Sequence, residues 1–165
     1  MPIRCIILFA QKILQQTSES ETGKNAGLIL STAKVLRAKV QTPLDKNLIE
    51  NGFFEPRLRE AALLRTVRET VEIMQSQANL SKSKLLLVCQ TKEQSLVFDD
   101  VRVQQILIQL LSNLVERLKP RSEIQIHVAT TIIPRKSSTK VAITISHKQS
   151  ETSSIFFNPT YEEQL

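Results

Sequence analysis

Apolar residues in the first fifty positions recur at three- and four-residue steps, whereas those after position 120 alternate with polar ones. Ile3, Ile6, Ile7, Ala10, Ile13 and Leu14 predict a first amphipathic helix, ended by the polar run TSESETGKN that contains Gly23. Leu28, Val35, Leu36, Val40 and Leu44 predict a second helix. Pro43 lacks a backbone donor and is expected to kink or end that helix near Thr42. Two helices joined by a turn cannot bury both faces alone. Residues 1–50 are therefore expected to form a hairpin that pairs with a second copy, a homodimer built as a four-helix bundle.

The rest of the chain mixes the two periods. Leu63, Leu64, Val67, Val71 and Met74 form a helical stripe, and LLLVCQ and SLVF read as short strands. From Asp99 to Lys119 the chain reads DDVRVQQILIQLLSNLVERLK. There Val103, Ile106, Leu107, Leu110, Leu111, Leu114 and Leu118 fall at helical steps and give an apolar face to bury on a sheet. Arg102, Gln105, Gln109, Asn113 and Glu116 share a second, polar face, which suits either solvent or the lining of a ligand pocket. Ile124, Ile126 and Val128 alternate with Gln125 and His127, and Val141, Ile143 and Ile145 repeat that alternation after the turn-like PRKSS. These two runs are expected to pair antiparallel over one helical layer. The fold class is α+β: a hairpin over 1–50, then an α/β sandwich over 51–165, incomplete at its C-terminal end.

Composition narrows the function. With 165 residues, 41% of them apolar, the chain can build a core. Its net charge of +6 is spread along the sequence and its aromatic content is 4%, too thin for base-stacking platforms, so nucleic acid is a poor candidate partner. Cys5 and Cys89 stand among apolar residues with no C-x-x-C or Cys/His cluster, and are expected to be reduced core cysteines with no metal. The start, MPIRCIILFA, is too brief for a signal peptide or for the roughly 20 apolar residues of a bilayer span, which predicts a soluble, cytoplasmic protein. Asp99 and Asp100 suit a helix N-terminus. No G-x-S-x-G, P-loop or H-E-x-x-H occurs, and no residue is assigned a catalytic role.

The wording of several segments adds a resemblance. D-x-x-R-V-x-Q-I-L-x-Q-L-L-S-N-L-V-E-R, from Asp99 to Arg117, resembles the N-box of the GHKL ATPase fold shared by histidine kinases, D-x-x-R-l-x-Q-v-L-x-N-L-l-x-N-A-x-K-F. DKNLIENG, from Asp45 to Gly52, resembles the close of the second dimerisation helix, and MPIRCIILFA resembles the continuation of the H-box, whose phosphoacceptor histidine would lie four residues before Met1. The resemblance implies a sensor histidine kinase core of a two-component phosphorelay, with ATP and Mg2+ as cofactors. A receiver domain of a response regulator, or a full-length histidine kinase, would be its partner. By family position Asn113 is the retained magnesium and nucleotide residue; Gln109 replaces the other asparagine, and Glu116 the phosphate-binding lysine. VAITISHKQSE resembles the V-x-V-x-D-x-G-x-G motif, which sets His147 at the adenine-binding aspartate and Gln149 and Glu151 at the two glycines. These replacements predict a catalytically inactive relative, a non-catalytic dimerisation or adaptor module being the alternative, along with a fragment of a longer kinase.

Overall fold

The computed structural model describes residues 2–17, 20–89, 95–133 and 138–148. Helix α1 spans Pro2–Thr17 and α2 spans Glu21–Glu50. On α1, Ile7 and Ala10 are buried and Ile3 and Leu14 half-buried, a three–four stripe that packs on α2. The polar run after α1 is shorter than expected. Ser20 caps α2, its hydroxyl accepting from the Gly23 amide at 3.1 Å, so Gly23 lies in the first turn of α2 rather than in a loop.

Nor does Pro43 end α2, which continues seven residues past it. A proline there forfeits one intrahelical bond, to the Lys39 carbonyl. The side chains of Lys39, Thr42 and Asp45, on both sides of it, are tied to a later helix, and that outweighs the loss. The helix ends instead in a Schellman turn, with Gly52 at φ +71°, the Phe53 amide donating to the Leu48 carbonyl at 2.9 Å and the Gly52 amide to Ile49 at 3.1 Å.

After an extended stretch come β1 (Arg59–Ala62), α3 (Leu63–Leu80), β2 (Lys84–Cys89), β3 (Ser95–Phe98), α4 (Asp100–Arg117), β4 (Glu123–Ile133) and β5 (Ser138–Lys148). Strand β1 has no apolar alternation to announce it; it pairs antiparallel with β3 in a two-stranded sheet. The other sheet has the order β2-β4-β5, parallel between β2 and β4 and antiparallel between β4 and β5. Ile124 stands opposite Leu85 and His147, Ile126 opposite Leu87 and Ile145, and Val128 opposite Ile143, so these side chains share one sheet face. That face packs against Val67, Met74 and Ala78 of α3 and Leu107, Ile108, Leu111 and Val115 of α4. The expected α+β architecture, with strands over one helical layer, is the one observed.

Two further expectations need correction. The buried face of α4 is rotated from the one read in the sequence: Ile108, Ser112 and Val115 are buried, while Ile106 is 38% exposed. A helix wedged between a sheet and two other helices buries more than one stripe, and the face nearest the sheet takes the branched residues Ile108 and Val115. The cysteines are also not core residues. Cys5 and Cys89 are both free and exposed, because Cys5 lies off the Ile3–Ile7–Ala10–Leu14 stripe and Cys89 sits at the end of an edge strand. Among the described residues no helix is long and apolar enough to cross a membrane.

Candidate functional site

The site is the polar stripe of α4 together with the end of β5. Asp99 caps α4: its carboxylate accepts from the Arg102 amide at 3.1 Å and from the Arg57 amide at 2.8 Å, filling two orphan donors with one side chain. Asp100 accepts a bidentate ion pair from Arg59 of β1, and this guanidinium holds the Asp100 carboxyl below its ordinary value despite a partial opposing effect of burial.

The stripe meets another helix, not open solvent. Asp45 of α2 is buried and accepts from the Arg102 guanidinium, from Gln105 Nε2 at 2.9 Å and from Gln41 Nε2 at 2.9 Å. Gln105 Nε2 also lies 3.3 Å from the Thr42 hydroxyl, and Lys39 pairs with Glu116 at 2.7 Å. Arg102 stacks over the Phe54 ring at 5.4 Å, which ties the segment after α2 to the same node. Between the two ends of the stripe, Gln109 Nε2 donates to Asn113 Oδ1 at 3.4 Å; both side chains are half-buried.

His147 is on the inward sheet face, 9% exposed, and its Nδ1 has no hydrogen-bond partner among the described residues. The Ser112 hydroxyl of α4 and the Ser83 hydroxyl before β2 are buried and unpartnered in the same way. His127, by contrast, is on the outward face beside Gln125, 3.2 Å from its Oε1. Thus Gln109, Asn113 and Glu116 lie along one helix face, and His147 lies under the helical layer at the start of β4. Gln149 and Glu151 are outside the described residues.

The sequence reading missed Lys39, Thr42 and Asp45 as partners of α4. A signal was present: Ser31, Val35, Ala38, Thr42 and Asp45 step by four, three, four and three, a small-residue stripe with an acid at its end, and all five are buried or half-buried.

No family model matches the chain, and no curated protein matches it by sequence. Solved structures do. The catalytic domain of histidine kinase ThkA superposes with a TM-score of 0.50 at 18% identity, over 59% of this chain and 62% of that domain. Histidine kinase AdeS of Acinetobacter baumannii superposes with a TM-score of 0.53 at 17% identity, over 92% of this chain and 75% of that one. ThkA in complex with the response regulator protein TrrA gives 0.51 at 16% identity, over 88% of this chain and 42% of that one. The chain shares the fold of these histidine kinase structures, a helical hairpin followed by a layer of helices on a sheet. It spans about three fifths of the length of the ThkA catalytic domain it matches.

Proposed function

We propose that this chain is a histidine-kinase-like module of phosphorelay signalling that acts as a dimeric, cytoplasmic docking scaffold and does not bind ATP. The observation that carries the reading is the pairing of Glu116 with Lys39. At the family position of a phosphate-binding lysine the chain presents a carboxylate, and the neighbouring cation is already engaged by it. A carboxylate about 4 Å from a phosphate charge costs between roughly 1 and 4 kcal/mol, depending on how far water screens the half-exposed side chain.

The remaining positions fit a nucleotide no better. At the two positions that correspond to the family's asparagines, the Gln109 amide already donates to Asn113 Oδ1 at 3.4 Å, which supports an occupied, self-directed pair. At the adenine position, the buried imidazole of His147 replaces an acceptor carboxylate. No phosphate or magnesium step is therefore assigned to Asn113.

Dimerisation is supported by a second stripe on α2. Ile29, Leu36, Val40, Leu44 and Leu48 are each between 40% and 56% exposed at helical steps, and Ile6, Phe9 and Ile13 of α1 are exposed too. Contiguous exposure of this kind is uncommon on a monomer. A second copy covering it would complete a four-helix bundle. ThkA is a protein of this fold whose complex holds a response regulator, which supports a receiver domain as the partner here.

The test is thermal unfolding of the full chain with and without millimolar Mg-ATP. A ligand held at low micromolar affinity would stabilise the native state by about 4 kcal/mol under those conditions and raise the melting temperature by several degrees. No shift is expected, and a magnesium-dependent rise would overturn the proposal.

A further inference from the structure

Helix α2 outruns its support. Asp45 is its last buried residue, and every residue from Lys46 to Phe53 is exposed. Backbone hydrogen bonds with little packing behind them open at low cost, so a helix end of this kind frays. At that end stand Asn51 and Gly52, the one place in the chain where an asparagine precedes a glycine; the other five asparagines precede alanine, leucine or proline.

That order of residues carries a reaction. The backbone nitrogen of the following residue can attack an asparagine Cγ and close a five-membered ring. Its proton leaves with the carboxamide nitrogen as ammonia, and a succinimide remains. Water then opens the ring at either carbonyl, giving isoaspartate or aspartate. A side chain on the following residue hinders the attack, but Gly52 has none, and the space where its Cβ would stand is empty to 4 Å. The closed turn holds the reaction off. The Gly52 amide donates to the Ile49 carbonyl at 3.1 Å, Asn51 sits at φ −94° and ψ 2°, and Asn51 Nδ2 donates to the Asn47 carbonyl at 2.7 Å. Fraying of the last turn releases the nucleophile and the carboxamide together.

We propose that Asn51–Gly52 is a self-modifying site, in which opening of the α2 end lets the Gly52 nitrogen close on Asn51 and convert it to isoaspartate and aspartate. Either product sets a carboxylate beside Glu50 at the negative end of a 30-residue helix, where the macrodipole disfavours it. Isoaspartate also inserts a methylene into the main chain between positions 51 and 52. The Gly52–Ile49 and Phe53–Leu48 hydrogen bonds then cannot both re-form in the same turn. Phe54, whose ring lies under the Arg102 guanidinium, follows directly, so the change reaches the contact that holds this segment to α4. The modification accumulates with the age of the molecule, whether or not the chain binds nucleotide or dimerises.

The test ages full-length protein in warm, mildly alkaline buffer and locates the new acid by peptide mass spectrometry, with isoaspartate detected by enzymatic methylation. Acid should accumulate at Asn51 ahead of the other five asparagines, with isoaspartate exceeding aspartate. Lys46→Gly, at an exposed position in the last two turns, should raise the rate about fivefold, the effect of glycine on a helix position. Lys46→Ala gives up the same 3.6 Å ion pair with Glu50 but keeps the helix propensity, and should leave the rate near the native one. In the aged, more acidic fraction the Phe53 amide should exchange with solvent faster while β4 amides stay protected. Equal accumulation at Asn25 or Asn79, or no isoaspartate at position 51, overturns the site on the native protein alone. A Lys46→Gly rate equal to the native one overturns its control by the helix end, and an unchanged Phe53 amide overturns its effect on the turn.

Discussion

Placing at position 147 the aspartate of the histidine kinase motif that this segment resembles is expected to weaken this fold. His147→Asp puts a carboxylate on a buried sheet face where the existing ring nitrogen Nδ1 already has no partner among the described residues. Buried where Nδ1 finds no partner among the described residues, the new acid should have its folded-state pKa raised by about two units, a cost of about 2.7 kcal/mol once it is ionised. The lost ring leaves about 45 Å3, which at about 24 cal/mol per Å3 adds about 1 kcal/mol. His147→Asn has the same size and no charge, so it isolates the first contribution. Because the introduced acid holds its proton longer in the folded state than in the unfolded one, stability falls as pH rises above the unfolded value near 4 and levels off above the folded value. Urea unfolding at pH 5 and pH 8 should show His147→Asp less stable than His147→Asn at both, with the gap wider by about 1 kcal/mol at pH 8. Equal stability at pH 8, or a gap that narrows with pH, would refute the placement of His147 on a buried sheet face.

Two further outcomes follow from the geometry. Ile6→Asp and Leu36→Asp should each convert a dimer into a monomer in sedimentation of the full chain, since both side chains lie on the exposed apolar stripe; a native protein that is monomeric at high micromolar concentration contradicts the bundle. Arg59→Ala should raise the Asp100 carboxyl toward its ordinary value in an NMR titration. Because that carboxyl is depressed in the folded state, its small stabilising contribution is present above about pH 4 and is lost as pH falls through the folded value, and the variant should flatten this acid limb.

The helices and the β4–β5 pair were legible because their periods are strong: Ile124, Ile126 and Val128 against Val141, Ile143 and Ile145 could pair in few other ways. What escaped was set by tertiary contact. Pro43 looked like a helix end because local rules ignore the grip of α4 on Lys39, Thr42 and Asp45. Strand β1, R-E-A-A, is a strand only because β3 lies beside it. Cys5 and Cys89 lie among apolar neighbours in sequence yet are exposed, Cys5 because neighbours along a helix point in different directions and Cys89 because it closes an edge strand where cover runs out. At the site, the polar stripe from Arg102 to Glu116 was visible, but not that its partner is α2, a residue-to-residue match at separations of about sixty to eighty that no local pattern encodes.

Calorimetric titration of the full chain with Mg-ATP tests the central claim most directly. Two unfavourable positions costing about 1.5 kcal/mol each would weaken binding roughly a hundredfold, and on the proposed reading Gln109, Glu116 and His147 are three such positions. No magnesium-dependent heat is expected up to millimolar nucleotide, with or without Asn113→Ala. A dissociation constant in the low micromolar range, abolished by Asn113→Ala, would show a working nucleotide site and contradict the account.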